Sequence, residues 1–451
     1  MAEIVEHTAT ARPQREQLVA LVGDILSEAE VQGATSAEAA VNFSSALSVT
    51  VRTGEVETLE HHRSRSLAVT VYIGTRKGSA STSDWGVQAM RDTVRAACDI
   101  ARHTAADPCA GLADPDRLAR SIPNLDLYHP WALEPEQAIA IAKTCEAAAL
   151  DYDPRIKNSE GGSVSSSESL SMYGNSNGFM GGYPSTRHGL SCSVIAQDAG
   201  GMQRDYWYSA ARAHPDLEAP ESVGLEAARR AVRRLDAKRL STRQAPVLFV
   251  PELARGLVSH FIGAVSGGAL YRKSSFLLNS LGTQVFPAHF QIREEPHLTK
   301  ALGSAPFDSE GVATEPRDLV RDGVVQGYVL DSYAARRLGM ATTGNGGGIH
   351  NLLVASGARD FEELVRHMGT GLIVTQLMGQ GVKLVTGDYS RGASGFWVEN
   401  GAIQHPVEEI TIAGNLREMF QGIAEVGRDV DARGVIRTGS ILIERMTIAG
   451  S

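Results

Sequence analysis

The chain has 451 residues, 43% of them hydrophobic and 21% charged, a length for two or three compact units and a composition that excludes disordered, fibrous and membrane-dominated proteins. Its 43 basic residues against 52 acidic ones leave a formal charge of -9, which argues against a dedicated nucleic-acid binder with a basic face. Glycine is unevenly spread: of 46, 18 lie up to His260 and 28 in the shorter remainder, so a turn-rich, β-rich C-terminal part is expected behind a more helical N-terminal part.

The start, MAEIVEHTAT, carries neither a basic nor an apolar export region, and no stretch is apolar enough for a spanning helix, so a cytoplasmic protein is expected. Residues 14–32 place Leu18, Leu21, Val22, Ile25, Leu26 and Ala29 on one helical stripe ended by Gly33. The period then changes to two over 46–56 and 67–73, with turns at Gly54 and 74–78. Asp84 is placed to cap a helix running to about Ala101, and a proline-containing loop follows. The same order recurs, with a helix over 134–151, strands at 155–160, 170–173 and 189–196, and a helix over 220–235. Beyond Gln244 short apolar runs dominate, at 247–250, 324–330, 371–374, 382–385, 396–398, 410–412 and 441–443, with helices over 252–264 and 361–368. The pattern predicts an α+β protein: two helix-plus-antiparallel-meander units, 1–115 and 116–235, then a β-rich, barrel- or sandwich-like domain, 236–451.

No single motif identifies chemistry. Gly174-Asn175-Ser176-Asn177-Gly178 has the spacing of a serine nucleophile elbow, but Pro184 forbids the helix that must follow, and Asn177-Gly178 reads as a hairpin turn. Gly344 to Gly348 is glycine-dense yet lacks the Gly-Lys-Ser/Thr end of a phosphate loop. Thirteen histidines include no pair at i and i+4, and the four cysteines, Cys98, Cys109, Cys145 and Cys192, form no C-x-x-C pair and no disulfide framework. His260 falls in the register of Leu253, Leu257, Phe261 and Ala264, as a packed, hydrogen-bonded histidine or as a ligand. The arginines between 229 and 243 read as a solvated helix face leading into a linker.

Several segments together resemble the TldD/PmbA family, on its PmbA (TldE) branch: RKGSAS (76–81), NSEGGS (158–163), YRKSSFLL (271–278), GGGIHN (346–351) and GDYSRGASGFWVENG (387–401), among others in the same order along nearly the whole chain. The resemblance implies a cytoplasmic zinc metallopeptidase built from TldD-like and PmbA-like subunits, acting on unfolded peptides. It also implies that the TldD branch holds zinc with an H-E-x-x-x-H helix and a cysteine near the C-terminus, the glutamate serving as general base. That window falls here on Arg255-Gly256-Leu257-Val258-Ser259-His260, and no cysteine follows Cys192. One ligand, His260, is fewer than catalytic zinc requires, and an arginine in a ligand position repels a dication. The expectation is therefore a chain with no catalytic residues and no cofactor of its own, zinc residing in a TldD-like partner. No nucleic-acid or membrane partner is expected.

Within that frame, Gly387 to Gly401 is expected to offer a strand edge to extended peptides, with Gly387, Asp388, Ser390, Gly392, Ser394 and Gly395 as peptide-binding residues. An ordinary core hairpin is the alternative. Two competing functions stand beside it. One is a self-contained hydrolase using His260 with His289, His297 or His350 and a carboxylate from Glu294, Glu295 or Asp308; the other is a non-enzymatic regulator of the gyrase-modulator type.

Overall fold

The computed structural model describes residues 13–450; the segment MAEIVEHTAT read above lies outside them. In chain order the elements are α1 (Arg15–Val31), β1 (Ser36–Arg52), β2 (Glu55–Ile73), β3 (Arg76–Thr82), α2 (Val87–His103), α3 (Pro135–Leu150), β4 (Ile156–Asn175), β5 (Met180–Asp198), β6 (Gly201–Ala211) and α4 (Pro220–Val232). There follow β7 (Arg243–Phe249), α5 (Pro251–Ala264), α6 (Gly267–Tyr271), β8 (Ile292–Glu294), β9 (Arg317–Arg321), β10 (Val324–Val325), α7 (Ser332–Leu338), β11 (Leu352–Val354), α8 (Phe361–Met368) and β12 (Gly371–Met378). The chain ends with β13 (Val382–Lys383), β14 (Asp388–Glu399), β15 (Ala402–Asn415), α9 (Leu416–Gln421), β16 (Ile423–Val426), β17 (Ile436–Arg437) and β18 (Ile441–Ala449).

Strands β1 to β6 pair in the order β3-β2-β1-β4-β5-β6. Each half is a meander, as the repeated pattern predicts, and β1 and β4 join the two meanders into one sheet. The strands are longer than their apolar runs because residues 55–66 of β2 are polar and exposed, so hydrophobic periodicity has nothing to register there. Asn175 to Gly178 form the β4–β5 turn, with Gly178 at φ +92°, and the Ser176 hydroxyl accepts from the Ala37 amide at 3.0 Å, so no nucleophile elbow exists.

By contacts the chain forms two compact units, and β1, β2, β4 and β5 pass through both. The first comprises residues up to Ala46, His61–Leu118 and Ser167–Ser185. In it α1 buries Leu18, Val22, Ile25 and Ala29, and α2 buries Val94, Ala97, Cys98 and Ala101, against Val41, Leu67, Val69, Val71 and Met172 of the strands. Gly33, at φ +88°, follows α1 as the pattern predicts. Asp84 is not the cap of α2: Gly86 holds that position, and Asp84 instead accepts from the Gly86 amide at 2.8 Å.

The second unit comprises Leu47–Glu60, Ala119–Ser166 and Thr186–Ser451. Here α3 and α4 meet through small residues, Ala138, Ala142, Cys145 and Ala149 against Val223, Ala227, Ala228 and Ala231. A Cβ at Gly224 would lie 2.0 Å from the Cys145 carbonyl oxygen, so this helix contact exists only because position 224 has no side chain.

The C-terminal part of that unit contains a closed ring. β12 pairs β7, β7 pairs β18, β18 pairs β15, β15 pairs β14, and β14 returns to β12. Closure into a five-stranded barrel removes the sheet edges of these strands. Both faces of β7 are buried: Val247 and Phe249 enter the main core, while Leu248, with Val250 just beyond the strand, packs with Leu364, Val365 and Met368 of α8. This explains why β7 reads as a continuous apolar run. A separate five-stranded sheet has the order β10-β9-β8-β11-β17. The strands expected over 324–330 and 382–385 shrink to the two-residue β10 and β13, and α6, α7 and α9 carry too few apolar residues to show a period in the sequence.

Candidate functional site

Helix α5 carries the window singled out above. Pro251 occupies its first turn, and its core stripe is Ala254, Leu257, Val258, Phe261 and Ala264. Arg255, Gly256, Ser259 and His260 therefore lie off that stripe. Arg255 is committed elsewhere: its guanidinium donates to the Tyr208 hydroxyl at 2.9 Å and sits 3.9 Å from the Asp431 carboxylate. At Gly256 a Cβ would meet nothing within 4 Å, so the fold leaves room for a side chain there.

His260 is half-buried and meets the Tyr389 ring edge-on, with centroids 6.0 Å apart. Burial, and then the nearby Arg391 charge, hold its imidazole below the usual range, so it is neutral at pH 7. Burial pushes the Tyr389 hydroxyl up to about 12. The Arg391 Nε is itself buried without a hydrogen-bond partner. One neutral imidazole facing a guanidinium and a protonated phenol does not fit a zinc ion. Among the described residues no group of three or more His, Cys, Asp or Glu is arranged to hold a metal.

The segment expected to offer an edge is β14, and it has no free edge. β15 runs along one side from Asp388 to Glu399, while β13 and then β12 occupy the other. Its backbone hydrogen bonds are spent inside the barrel, so strand addition by a peptide is excluded there. Gly387, Ser394 and Gly395 are buried. A Cβ at Gly395 would stand 1.7 Å from the Ile373 carbonyl oxygen, so the close approach this glycine permits is that of β12. Of the six residues only Asp388 and Ser390 are exposed, with Gly392 half-buried.

The residues of the self-contained hydrolase do not assemble around His260. Glu294 is fully buried, and its carboxylate accepts from Arg317 Nε at 2.8 Å, Asn345 Nδ2 at 2.9 Å and the His350 amide at 2.8 Å. His350 Nε2 lies 3.0 Å from the Gly344 carbonyl, and His297 Nε2 lies 3.0 Å from the Thr314 hydroxyl. Glu295 pairs with Arg293, and His289 is exposed. Asp308 accepts from the amides of Glu310, Val312 and Gly346 and is pushed up to about 7 by burial and then by the Glu310 carboxylate. Glu294, His350 and Asp308 thereby hold the glycine-dense loop 344–348 in place.

What the sequence reading missed is the arginine run's role. Arg230 and Arg234 are not solvated: Arg230 pairs with Asp205 at 3.2 Å and Glu252 at 2.8 Å, and Arg234 with Asp205 at 3.3 Å and the Gln376 amide oxygen at 2.5 Å. Arg433 pairs with Asp431 at 2.9 Å and lies 3.8 Å over the Trp207 ring. Burial acts upward on Asp431, but the Arg433 hydrogen bonds and charge hold its carboxyl below the usual range. The i, i+4 spacing of Arg230 and Arg234 beside Ala227 and Ala231 was the available signal, since it puts both guanidinium groups next to an apolar stripe.

Comparison with known proteins assigns the chain. Models of the PmbA/TldA metallopeptidase domain 1, central domain and C-terminal domain match residues 37–101, 128–235 and 242–450. The chain is 53% identical over 414 residues to Metalloprotease PmbA of Escherichia coli O157:H7, covering 92% of each chain. It is 48% identical over 445 residues to the Metalloprotease PmbA homolog of Haemophilus influenzae, covering 98% of each. To the Metalloprotease TldD homolog of the same organism it is 27% identical over 257 residues, covering 52% of this chain and 53% of that one. Among solved structures, a Bacteroides thetaiotaomicron protein described by the name modulator of DNA gyrase superposes with a TM-score of 0.92 at 30% identity, over 97% of this chain and 100% of that one. TldE from Thermococcus kodakarensis shares the fold, with a TM-score of 0.81 at 20% identity over 95% and 100% of the two chains. With three family domains in order and half its residues identical to PmbA, the chain belongs to the PmbA/TldD metallopeptidase family, on its PmbA (TldE) branch.

Proposed function

We propose that this chain is the subunit without the metal in a two-component zinc metallopeptidase, assembling with a TldD-like subunit in the cytoplasm and acting on unstructured peptides. The observation that carries the proposal is the α5 window. Where the TldD-like helix supplies two histidines and a glutamate, this helix supplies Arg255, held by Tyr208 and Asp431, Gly256, and a single imidazole at His260 that faces Arg391. Such a set neither binds a dication nor abstracts a proton from metal-bound water, so no hydrolytic step runs through this chain. Support for a partner comes from Haemophilus influenzae, which has both a PmbA homolog and a TldD homolog. Of the six residues assigned to peptide binding, Asp388, Ser390 and Gly392 remain available on β14, and they engage substrate through their exposed face rather than through a strand edge.

The test is metal content and peptide cleavage for the full chain alone and mixed with a TldD-like protein. Alone, it is expected to contain far less than one zinc per chain and to leave an unstructured peptide intact. The mixture is expected to form a heteromer whose activity needs both chains. Stoichiometric zinc with activity in the isolated chain overturns the proposal, as does a TldD-like chain equally active without this one.

A further inference from the structure

The second unit contains a cavity of about 470 Å³ that the reading above does not use, within the size range of small-ligand sites. Its floor is apolar, with Val250, Ile373 and Phe396 buried. At its rim Ile403 and Val430 are 38% and 42% exposed, large apolar side chains left uncovered beside a concave surface.

Five arginines line the cavity. Four have carboxylate partners: Arg229 lies on Glu226 through two bonds of 2.8 Å, and Arg230, Arg234 and Arg433 are held by Asp205, Glu252 and Asp431 as described. Arg233 is different. Among the described residues no carboxylate lies within ion-pairing distance of it, and its guanidinium instead stands over the Phe396 ring at 5.0 Å. The other acid at the cavity, Asp429, is occupied, accepting from the Ser440 amide at 3.0 Å and the Ser440 hydroxyl at 2.7 Å. Stacking on an aromatic ring fixes the plane of a guanidinium and leaves its N–H edges free, the arrangement suited to two parallel bonds to a carboxylate.

We infer that this cavity is a binding site for the C-terminal residue of a peptide, its carboxylate on Arg233 and its apolar side chain against Ile373, Phe396, Ile403 and Val430. A single guanidinium without a carboxylate partner matches one carboxylate, and the acids that also line the cavity, Asp205, Glu226, Glu252, Asp429 and Asp431, repel a phosphate dianion more strongly than a monoanionic carboxylate. The inference rests on the peptide-handling reading for the carrier of the carboxylate, but binding here requires neither a partner subunit nor catalysis.

The experiment is calorimetric titration of the full chain with N-acetyl-L-leucine and N-acetyl-L-phenylalanine and with their C-terminal amides, followed in parallel by the fluorescence of Trp207, which also lines the cavity. Each acid is expected to bind about tenfold or more tightly than its amide, the size of one charge-assisted interaction. Arg233→Gln is expected to bring the acid down to the amide's affinity without altering amide binding or the melting temperature, because Arg233 is exposed and makes no ion pair. Equal affinity for acid and amide, absence of binding by either at millimolar concentration, or unchanged affinity in Arg233→Gln overturns the inference. Displacement of the acid by inorganic phosphate at comparable concentration also overturns it, in favour of a general anion site. All these results leave the zinc and cleavage test of the two-component peptidase untouched, so the two readings fail separately.

Discussion

Gly395→Ala separates a glycine kept for the barrel from one kept for a ligand. The new Cβ would stand 1.7 Å from the Ile373 carbonyl oxygen and 2.8 Å from its carbon, whereas side-chain carbons do not approach within 3.0 Å. Relief requires the strands to part by about 1.3 Å, the difference between those two distances, across a ladder whose spacing is about 4.8 Å. Ile373 cannot simply retreat, because it is paired on its other side with Leu248 of β7. Overpacking costs about 1–3 kcal/mol, and loss of one or two ladder hydrogen bonds adds about 1 kcal/mol each, so a destabilisation of about 2–5 kcal/mol is expected. For a chain of 451 residues that corresponds to a fall in melting temperature of about 2–5 °C, read by circular dichroism. The control is Gly392→Ala on the same strand, where the nearest atom is the Met378 Cβ at 3.4 Å and the cost should stay below about 1 kcal/mol. An unchanged melting temperature in Gly395→Ala, with loss of peptide cleavage by the two-component mixture, would refute the barrel argument and return Gly395 to the peptide site.

Two further substitutions test the polar interior. Asp205→Asn removes the charge shared by Arg230 and Arg234 and should destabilise the fold by about 2–4 kcal/mol, below the full cost of an orphaned buried charge because Glu252, Gln376 and the Arg204 carbonyl remain. The loss should persist at high salt, since buried pairs are weakly screened; a shift that vanishes in salt refutes it. Asp308 predicts a pH dependence of definite sign. Its folded carboxyl keeps its proton up to about pH 7, while the unfolded chain releases it near about pH 4. Its contribution is therefore fully favourable below about pH 4 and is lost as the pH rises to about 7. Between those limits the stability of Asp308→Asn should improve relative to the parent by up to about 4 kcal/mol, from denaturant midpoints; a difference independent of pH refutes the assignment.

The features that were legible before folding share a local cause. Helix α1 with its glycine stop, the Asn177-Gly178 turn and the buried run of β7 each report through residues next to one another in the chain. The residue types of the α5 window were also legible, because identity at 255, 256 and 260 needs no coordinates. The polar half of β2 was not, since a strand exposed along twelve residues shows no hydrophobic period. The cap of α2 was misplaced by two residues because Asp84 and Gly86 are both acceptable there, and only the backbone chooses between them.

By itself, then, the sequence determined the α+β class, the repeated meander, the family and the residue types presented by α5, all of which depend on residue identity and near-neighbour spacing. Tertiary structure alone decided that β14 is closed into a barrel, that Gly395 yields to β12, and that Arg233, one of six arginines between 229 and 243, has no carboxylate partner beside the cavity. The physical reason is distance along the chain. Pairing of β14 with β12 and β15 is set by where strands meet, and the counter-ions of Arg230 and Arg234 come from Asp205 and Glu252 on other elements. Whether a charge is spent or available depends on such contacts, and the chain between them does not record it.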